Sequence, residues 1–220
     1  MEDFDRTYIR GGVGGNASFN TQLTTVLPKG AFGGPSGLRM QYAPPSAKGA
    51  TTGVMSYRVY VPADFDPVLG GKLPGFNADE FCARVMFRRT NTKNAAQFGG
   101  EMYLHGPAQL DPGYTQVPGF VGNDDHGDSL YRYYFWFNKG QWNDVSYSIT
   151  LNTPGSANGT LSLTVNGTTQ TYSKYTFREH ASTTIDCVLY TVFYGGSTSA
   201  YAPKKDETII LDRMKFSFKK

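Results

Sequence analysis

The stretch "FCARVMFRR" at residues 81–89 alternates large apolar side chains with cationic ones. Phe81, Ala83, Val85 and Phe87 occupy one set of alternate positions, and two arginines lie in the other set. Successive side chains of a β-strand point to opposite faces, so this pattern predicts a strand with one face in a core. The other face carries two guanidinium groups, which indicates that it binds an anion.

The rest of the chain has the composition of an all-β protein. Its 220 residues include 15 Phe and 15 Tyr, which favour strands over helices. Asn166 and Gly167 lie between two alternating runs and predict a β-hairpin. We therefore expect residues 1–220 to form a single antiparallel two-sheet jelly-roll sandwich with a concave cleft, in which residues 1–50 are a loop-rich N-terminal part.

Short runs of β-branched and aromatic residues, separated by turn formers, mark the individual strands. Strands are predicted at residues 55–61, 80–88, 101–105, 129–137, 144–151, 160–165, 168–176, 184–193 and 208–218, with weaker signals at 17–26 and 37–42.

The segment "GGEMYLHGP" at residues 99–107 shows a second informative alternation. Met102 and Leu104 fall on one side, whereas Glu101, Tyr103 and His105 fall on the other. Because a turn-rich stretch separates this segment from residues 81–89, the two strands are expected to pair as neighbours. Cations, a phenol and an imidazole then share one surface. The alternative is an ordinary solvated face on which an arginine bridges Glu101.

Lys72 lies in "FDPVLGGKLPGF" at residues 65–76, between two glycines and a Pro-Gly pair. These residues predict a tight, irregular turn from which Lys72 projects in a fixed direction. The alternative is a solvated lysine in a loop. The glycines do not predict a phosphate site, since no helix with a GK[ST] start follows.

The net charge and the hydropathy of the chain argue against nucleic acids and membranes as partners. The chain has 21 Lys and Arg against 18 Asp and Glu, a formal net charge of +3 at pH 7, which does not call for a nucleic acid. No apolar stretch approaches the roughly 20 residues that span a bilayer, and the N-terminus has no signal-peptide pattern. We expect a monomer without a nucleic-acid or membrane partner.

The two cysteines lie far apart in the sequence. Cys82 and Cys187 are expected as free thiols, with a disulfide as the alternative.

No metal signature is specific. "GNDDHGDSL" at residues 122–130 holds four acidic or imidazole side chains but lacks the EF-hand order and its terminal Glu, so a solvated loop is favoured while a structural calcium ion stays open. His105, His126 and His180 lack a zinc-type pairing with cysteine, and no metal site is predicted. A G-x-S-x-G serine hydrolase motif is also absent from the sequence.

Five segments together resemble polysaccharide lyase family 14, a group of alginate and glucuronan lyases that includes cell-wall lyases of chlorella viruses. They are "YRVYVPADFDPVLGGKLPGF", "FCARVMFRR", "GEMYLHGP", "GQWNDVSYSITLNTPGSANGTLSLTVNG" and "VFYGGSTSAYAPKKDE". The resemblance runs in order from about residue 57 to the C-terminus. The glucuronan lyases of family 20 share much of the pattern.

The resemblance implies a jelly roll that cleaves a glucuronate-containing or related uronate polymer by β-elimination in its concave sheet. It further implies action on an algal-type cell wall, outside the cell or on a virion, with an acidic polysaccharide as partner and no redox or organic cofactor. Lys72 matches a functionally important lysine of the family. Cys82 and Arg84 occupy the positions of a Ser-x-Arg pair, with cysteine in place of serine, and Tyr103 and His105 occupy those of two tyrosines in a GE-x-Y-x-Y strand, with histidine in place of the second.

Four residues are expected to be catalytic, namely Lys72, Arg84, Tyr103 and His105. Arg84, with Arg88 or Lys72, stabilises the negative charge that develops beside the substrate carboxylate. His105 acts as the base and Tyr103 as the acid, because imidazole ionises near neutral pH and a phenol does not. A tyrosine that serves both roles remains the alternative.

Substrate binding is assigned to Cys82, Arg88, Glu101 and Tyr194. Two other classes of function remain open: a carbohydrate-binding module of the same fold, and a structural capsid or fibre protein.

Overall fold

The computed structural model of the chain describes residues 9–13, 17–19, 22–90, 94–107, 113–122 and 127–220. In this part of the chain, 14 strands form two seven-stranded sheets in which every pair of neighbours is antiparallel. The expected two-sheet jelly-roll sandwich is confirmed.

The first sheet, which we call the cleft sheet, contains in spatial order β1 (Ile9–Val13), β4 (Leu38–Tyr42), β13 (Cys187–Tyr194), β6 (Gly70–Asn77), β7 (Cys82–Arg88), β8 (Gln97–His105) and β9 (Asp128–Asn138). The second, which we call the back sheet, contains β12 (Thr168–Tyr175), β11 (Gly159–Val165), β10 (Trp142–Thr150), β5 (Thr52–Tyr60), β14 (Glu207–Lys219), β3 (Leu23–Leu27) and β2 (Ala17–Phe19).

The core lies between the two sheets and is largely aromatic. Strand β5 buries every second residue, and its neighbour β10 does the same, so each strand has one face in the core and one in solvent. Phe76 of the cleft sheet stacks on Tyr147 of the back sheet with ring centroids 6.2 Å apart. Phe81, Ala83, Val85 and Phe87 are all buried in this core, as the alternation in residues 81–89 predicts.

The turn predicted around Lys72 is wrong, because residues 70–77 form strand β6 between β13 and β7. Glycine is needed here for close packing: a Cβ atom on Gly75 would lie 2.2 Å from the carbonyl oxygen of Ala83. Pro74 is accommodated because the pairing of β6 is irregular between Lys72 and Gly75, so the missing N–H interrupts no regular ladder. Lys72 is therefore held by a central strand.

Two further differences concern boundaries. Strand β8 begins at Gln97, before the predicted residue 101, although the four additional residues end in two glycines. The first fifty residues supply four strands, β1 to β4, and so contribute to both sheets. The hairpin at Asn166 and Gly167 is confirmed, and both residues have the positive φ angles that such a turn requires.

Both cysteines are buried thiols that form no disulfide, which confirms the favoured prediction. Cys187 and Cys82 are paired with opposite sides of Asn77 in the strand between them. Two interstrand spacings amount to about 10 Å, which exceeds the Cα separation that a disulfide bridges. No helix in the described ranges has both the length and the apolar composition needed to traverse a bilayer.

Two buried asparagines, Asn143 and Asn152, form hydrogen bonds to segments that connect the strands. The side-chain oxygen of Asn143 accepts hydrogen bonds from the backbone N–H of Asn138 and the amide of Asn166, both at 2.7 Å. Asn152 accepts from the backbone N–H groups of Phe177 and Arg178 at 2.8 and 3.0 Å. Both asparagines are fully buried, so these amides replace water as partners for backbone groups.

We predict that Asn143→Ala lowers the free energy of unfolding by roughly 2–4 kcal/mol, because several buried backbone partners lose their hydrogen bonds. Urea denaturation measures this loss. Asn158→Ala is the matched control, since Asn158 is exposed and its side-chain oxygen accepts one backbone hydrogen bond, from Thr153 at 2.8 Å. Equal losses in the two variants would contradict the structural role of Asn143.

Candidate active site

Four rows of side chains cross the outer face of the cleft sheet. Directly paired residues of neighbouring antiparallel strands have their side chains on the same face. The rows are Gly70, Arg88, Gly99 and Trp136; Phe193, Lys72, Met86 and Glu101; Leu189, Gly75, Arg84, Tyr103 and Ser129; and Cys187, Asn77, Cys82 and His105. The structure thus places the two arginines of β7 beside Tyr103 and His105 of β8.

A cavity of about 390 Å³ opens on this face. Four residues that the sequence singled out line it, namely Lys72, Arg88, Tyr103 and His105. The other lining residues are Gly33, Gly34, Met86, Phe193, Gly196, Ser197 and Tyr201. The predicted catalytic residues therefore meet at one opening, with Arg84 next to it in the row of Tyr103.

Lys72 lines the cavity and contacts a thioether and a phenol. Its ammonium group donates to the sulfur of Met86 at 2.9 Å and lies 3.7 Å from the ring centroid of Tyr103. Burial, together with the positive charges of Arg84 and Arg88, lowers the pKa of Lys72 to about 7. A negative charge brought into the cavity would reverse this effect and favour the protonated amine.

Arg84 has no carboxylate partner among the described residues, and the same holds for Lys72. The guanidinium of Arg84 lies 5.7 Å from the ring centroid of Tyr103, and its Nε is buried with no hydrogen-bond partner in the described part of the chain. The alternative in which Arg84 bridges Glu101 is wrong. With no carboxylate partner in the described ranges, this guanidinium can pair with an external anion.

Glu101 is fully buried and holds two other arginines. One of its oxygens accepts hydrogen bonds from Arg88 and from Ser129, the latter at 2.7 Å, and the other accepts from Nε of Arg132 at 2.7 Å. Its predicted contact with substrate is therefore corrected: both oxygens are engaged and neither reaches solvent. Two guanidinium groups share one carboxylate, so this cluster keeps a net positive charge.

The same contacts fix the ionisation of Arg88. Burial disfavours its charged form, but the hydrogen bond and the negative charge of Glu101 outweigh this effect and raise the pKa of Arg88. Arg88 therefore presents a permanent positive charge to the cavity that it lines.

Tyr194 does not reach the cleft, so its assignment to substrate binding is also corrected. It is fully buried, stacks on Phe65 at 6.3 Å, and donates its hydroxyl proton to the carbonyl oxygen of Asp66. The alternation in "CVLYTVFY" indicates this burial, because Tyr194 lies at an alternate position with the core residues Tyr190 and Val192 and so points to the same face. Phe193, one residue earlier, faces the cavity instead.

The two candidate proton carriers differ in environment. Tyr103 is buried, which raises its pKa although the charge of Arg84 opposes the shift. Its phenol is therefore protonated at neutral pH and is suited to donate a proton. His105 is exposed at the end of β8, opposite Cys82. Cys82 is itself buried, and its contact with substrate stays a prediction.

Sequence reasoning missed the loop residues that close the cavity, Gly33, Gly34, Gly196, Ser197 and Tyr201. The backbone N–H of Gly33 donates to the carbonyl oxygen of Tyr194 at 2.9 Å, and that of Gly195 to Gly70 at 3.1 Å, which hold the two loops at the edge of the cleft sheet strands β13 and β6. Gly196, Ser197 and Tyr201 lie in the segment "VFYGGSTSAYAPKKDE", whose family resemblance was the available signal, whereas no local pattern points to Gly33 and Gly34. Arg132 was missed because it lies in an irregular part of β9 that does not follow strand alternation.

In the described part of the chain, no three His, Cys, Asp or Glu side chains come together as metal ligands. Asp124, Asp125 and His126 of the acidic segment lie outside the described residues. Asp128, the last acidic residue of that segment, is buried at the start of β9.

Comparisons with known proteins identify the family and the fold of the chain. The family model for polysaccharide lyase 14 matches residues 16–214. The chain is 27% identical over 204 residues to Exolysin from Paramecium bursaria Chlorella virus 1, an alignment that covers 81% of this chain and 31% of that protein. The chain thus spans about a third of the length of this relative.

Two solved structures share the fold. The alginate lyase from Aplysia kurodai superposes with a TM-score of 0.81 and 22% identity, covering 96% of this chain and 90% of that chain. The alginate lyase vAL-1 from a Chlorella virus gives a TM-score of 0.73 and 16% identity, covering 96% and 92%. At these identities the likeness establishes a common fold.

We predict that Lys72→Met stabilises the protein most at pH 6–7 and progressively less toward pH 10. Between a folded pKa of about 7 and the ordinary lysine value, the unfolded chain holds a proton that the folded chain lacks, so the stability of the unmodified protein rises with pH over this window. The variant lacks this contribution. Urea denaturation at several pH values measures the difference.

Lys215→Met is the control for this experiment, because Lys215 is an exposed lysine on the back sheet and its variant reports the pH dependence of all other groups. A stability difference for Lys72→Met that does not vary between pH 6 and pH 10 would contradict the lowered pKa.

Proposed function

Because the chain belongs to polysaccharide lyase family 14, we propose that it cleaves a uronate polysaccharide by β-elimination at the cavity of the cleft sheet. One observation carries the proposal: Lys72 and Arg84 have no carboxylate partner among the described residues, and they flank a phenol that lines the cavity with an imidazole. A sugar carboxylate would supply the missing negative charge. The phenol and imidazole would then handle the two protons of the reaction.

The reaction removes the proton at C5, which is adjacent to the carboxylate of the sugar. The electrons of the C5–H bond form a double bond between C4 and C5, and the C4–O4 bond breaks. O4 leaves with the next sugar and takes up a proton. Negative charge develops on the carboxylate as the C5 proton leaves, so fixed cations beside it stabilise the transition state most. Arg84 and Lys72 are proposed for this role.

The two protons need two positioned groups. We assign His105 as the base that takes the C5 proton, and Tyr103 as the acid that protonates O4, since burial keeps the phenol protonated. Tyr103 acting in turn as base and acid is the alternative, and the two cations beside its ring support it. Arg88 is proposed to bind a further carboxylate of the polymer.

The substrate is proposed to be alginate or a glucuronate polymer. Both solved structures described above are alginate lyases by name, which supports alginate. The glucuronate polymer was expected from the resemblance in sequence. A relative from a chlorella virus supports action on an algal-type cell wall, outside the cell or on a virion. The elimination neither oxidises nor reduces the sugar, so it needs no electron carrier.

We predict that incubation with alginate or glucuronan generates unsaturated uronate ends, which are followed by their ultraviolet absorbance. Arg84→Ala, His105→Ala and Tyr103→Phe should each lower kcat/KM about 100-fold or more, because each removes charge stabilisation or proton transfer. Arg58→Ala and Tyr60→Phe are matched controls on the back sheet and should retain activity.

The variants also separate the alternatives. Full activity of His105→Ala with loss in Tyr103→Phe would assign both proton transfers to the tyrosine. Retention on either polymer without any unsaturated product would overturn the lyase proposal in favour of a binding module.

A further inference from the structure

Strand β9 contains a large bulge where it passes Glu101. The pairing of β8 with β9 jumps from Gly100 with Phe135 to Met102 with Leu130, so residues 131–134 stand opposite Glu101 alone. Two of these residues, Tyr131 and Tyr133, have φ angles of 53° and 64°. Aromatic residues rarely adopt this left-handed conformation, and it persists only where surrounding contacts enforce it.

Several contacts enforce the bulge. Arg132 donates to the buried carboxylate of Glu101 at 2.7 Å, which anchors its centre. The backbone N–H of Tyr131 donates to Pro118 at 2.8 Å, and that of Arg132 to Gly119 at 3.2 Å. The hydroxyl of Tyr131 donates to the carbonyl oxygen of Thr171 in the back sheet at 2.9 Å. The bulge is therefore a built feature of the fold.

The bulge places the ring of Tyr133 against Gly99 of β8. A Cβ atom on Gly99 would lie 2.3 Å from Cδ1 of Tyr133, so the ring rests directly on the backbone of β8. Trp136 is paired with Gly99 and shares its face, and its ring lies nearly parallel to that of Tyr133, with centroids 6.0 Å apart. Both rings are only partly buried. They form an aromatic strip on the outer face of the cleft sheet.

A positive charge adjoins this strip. Arg88 is paired with Gly99 from the other side and lines the cavity. Because Arg88 and Arg132 share the single carboxylate of Glu101, the cluster retains a net positive charge. A uronate ring matches both features: its apolar C–H face packs on aromatic rings, and its carboxylate pairs with a guanidinium.

We propose that Tyr133, Trp136 and Arg88 form a further sugar subsite, which binds a uronate unit of the polysaccharide away from the bond that is cleaved. This inference rests on the proposed function. The Arg88 row lies two residues along the strand from the Lys72 row, or about 7 Å. The subsite therefore contributes to binding of longer chains and leaves the chemical step unchanged.

Intrinsic fluorescence tests the subsite directly, because the chain has two tryptophans. Trp142 lies on the back sheet, 5.0 Å from the guanidinium of Arg58. Trp142→Phe leaves Trp136 as the reporter, and Trp136→Phe leaves Trp142. Each variant is titrated with tri- to hexasaccharides of the cleaved polymer, in a Tyr103→Phe background that keeps the ligand intact.

We expect the emission of Trp136 to change and to saturate with the dissociation constant that calorimetry gives, whereas the emission of Trp142 stays constant. Tyr133→Ala should raise KM for the hexasaccharide about tenfold with little change in kcat or in KM for the trisaccharide. Tyr134→Ala is the matched control from the same bulge, since Tyr134 is 44% exposed and packs on Tyr131.

The outcomes separate the two proposals. Calorimetric binding with unchanged Trp136 emission, or equal KM values for Tyr133→Ala and Tyr134→Ala, would overturn the subsite while the lyase activity stands. Absence of both product and calorimetric binding, with alginate and with glucuronan, would overturn the subsite together with the proposed function.

Discussion

The buried carboxylate of Glu101 is the interaction on which the cleft depends. It holds Arg88 toward the cavity and Arg132 within the bulge of β9, so one negative charge positions two positive ones. A buried carboxylate with such partners is costly to leave incomplete, which makes the arrangement rigid. Because both oxygens are engaged, Glu101 cannot neutralise Arg84 through a direct contact.

The described residues of the cleft therefore carry an excess of positive charge. Lys72 responds to this excess, together with its burial, through a pKa lowered to about 7. Among the described residues, Lys72 and Arg84 have no carboxylate counterion, and a sugar carboxylate in the proposed complex would make the protonated lysine favourable again. In the proposed reaction, the sugar carboxylate therefore restores the same positive charge that would stabilise the elimination, beside the phenol and imidazole that are proposed to carry the protons.

Strand alternation in residues 81–89 and 99–105 was sufficient to predict two paired strands and the residues on each face, because both strands are regular there. The prediction of a turn around Lys72 failed, because the glycines and the proline there allow close packing of a central strand. Tyr194 was misassigned although its parity pointed to the core. The bulge that carries Tyr133 was beyond sequence reasoning, because its left-handed residues are stabilised only by contacts distant in sequence.

Proton uptake on binding tests the central claim most directly. An oligosaccharide of the cleaved polymer is titrated into the Tyr103→Phe variant at pH 8 by calorimetry, in buffers with different ionisation enthalpies. If the carboxylate of the sugar restores the protonated form of Lys72, binding takes up to about one proton per site, and adding Lys72→Met abolishes this uptake. Binding without proton uptake, or with equal uptake in both variants, would contradict the account.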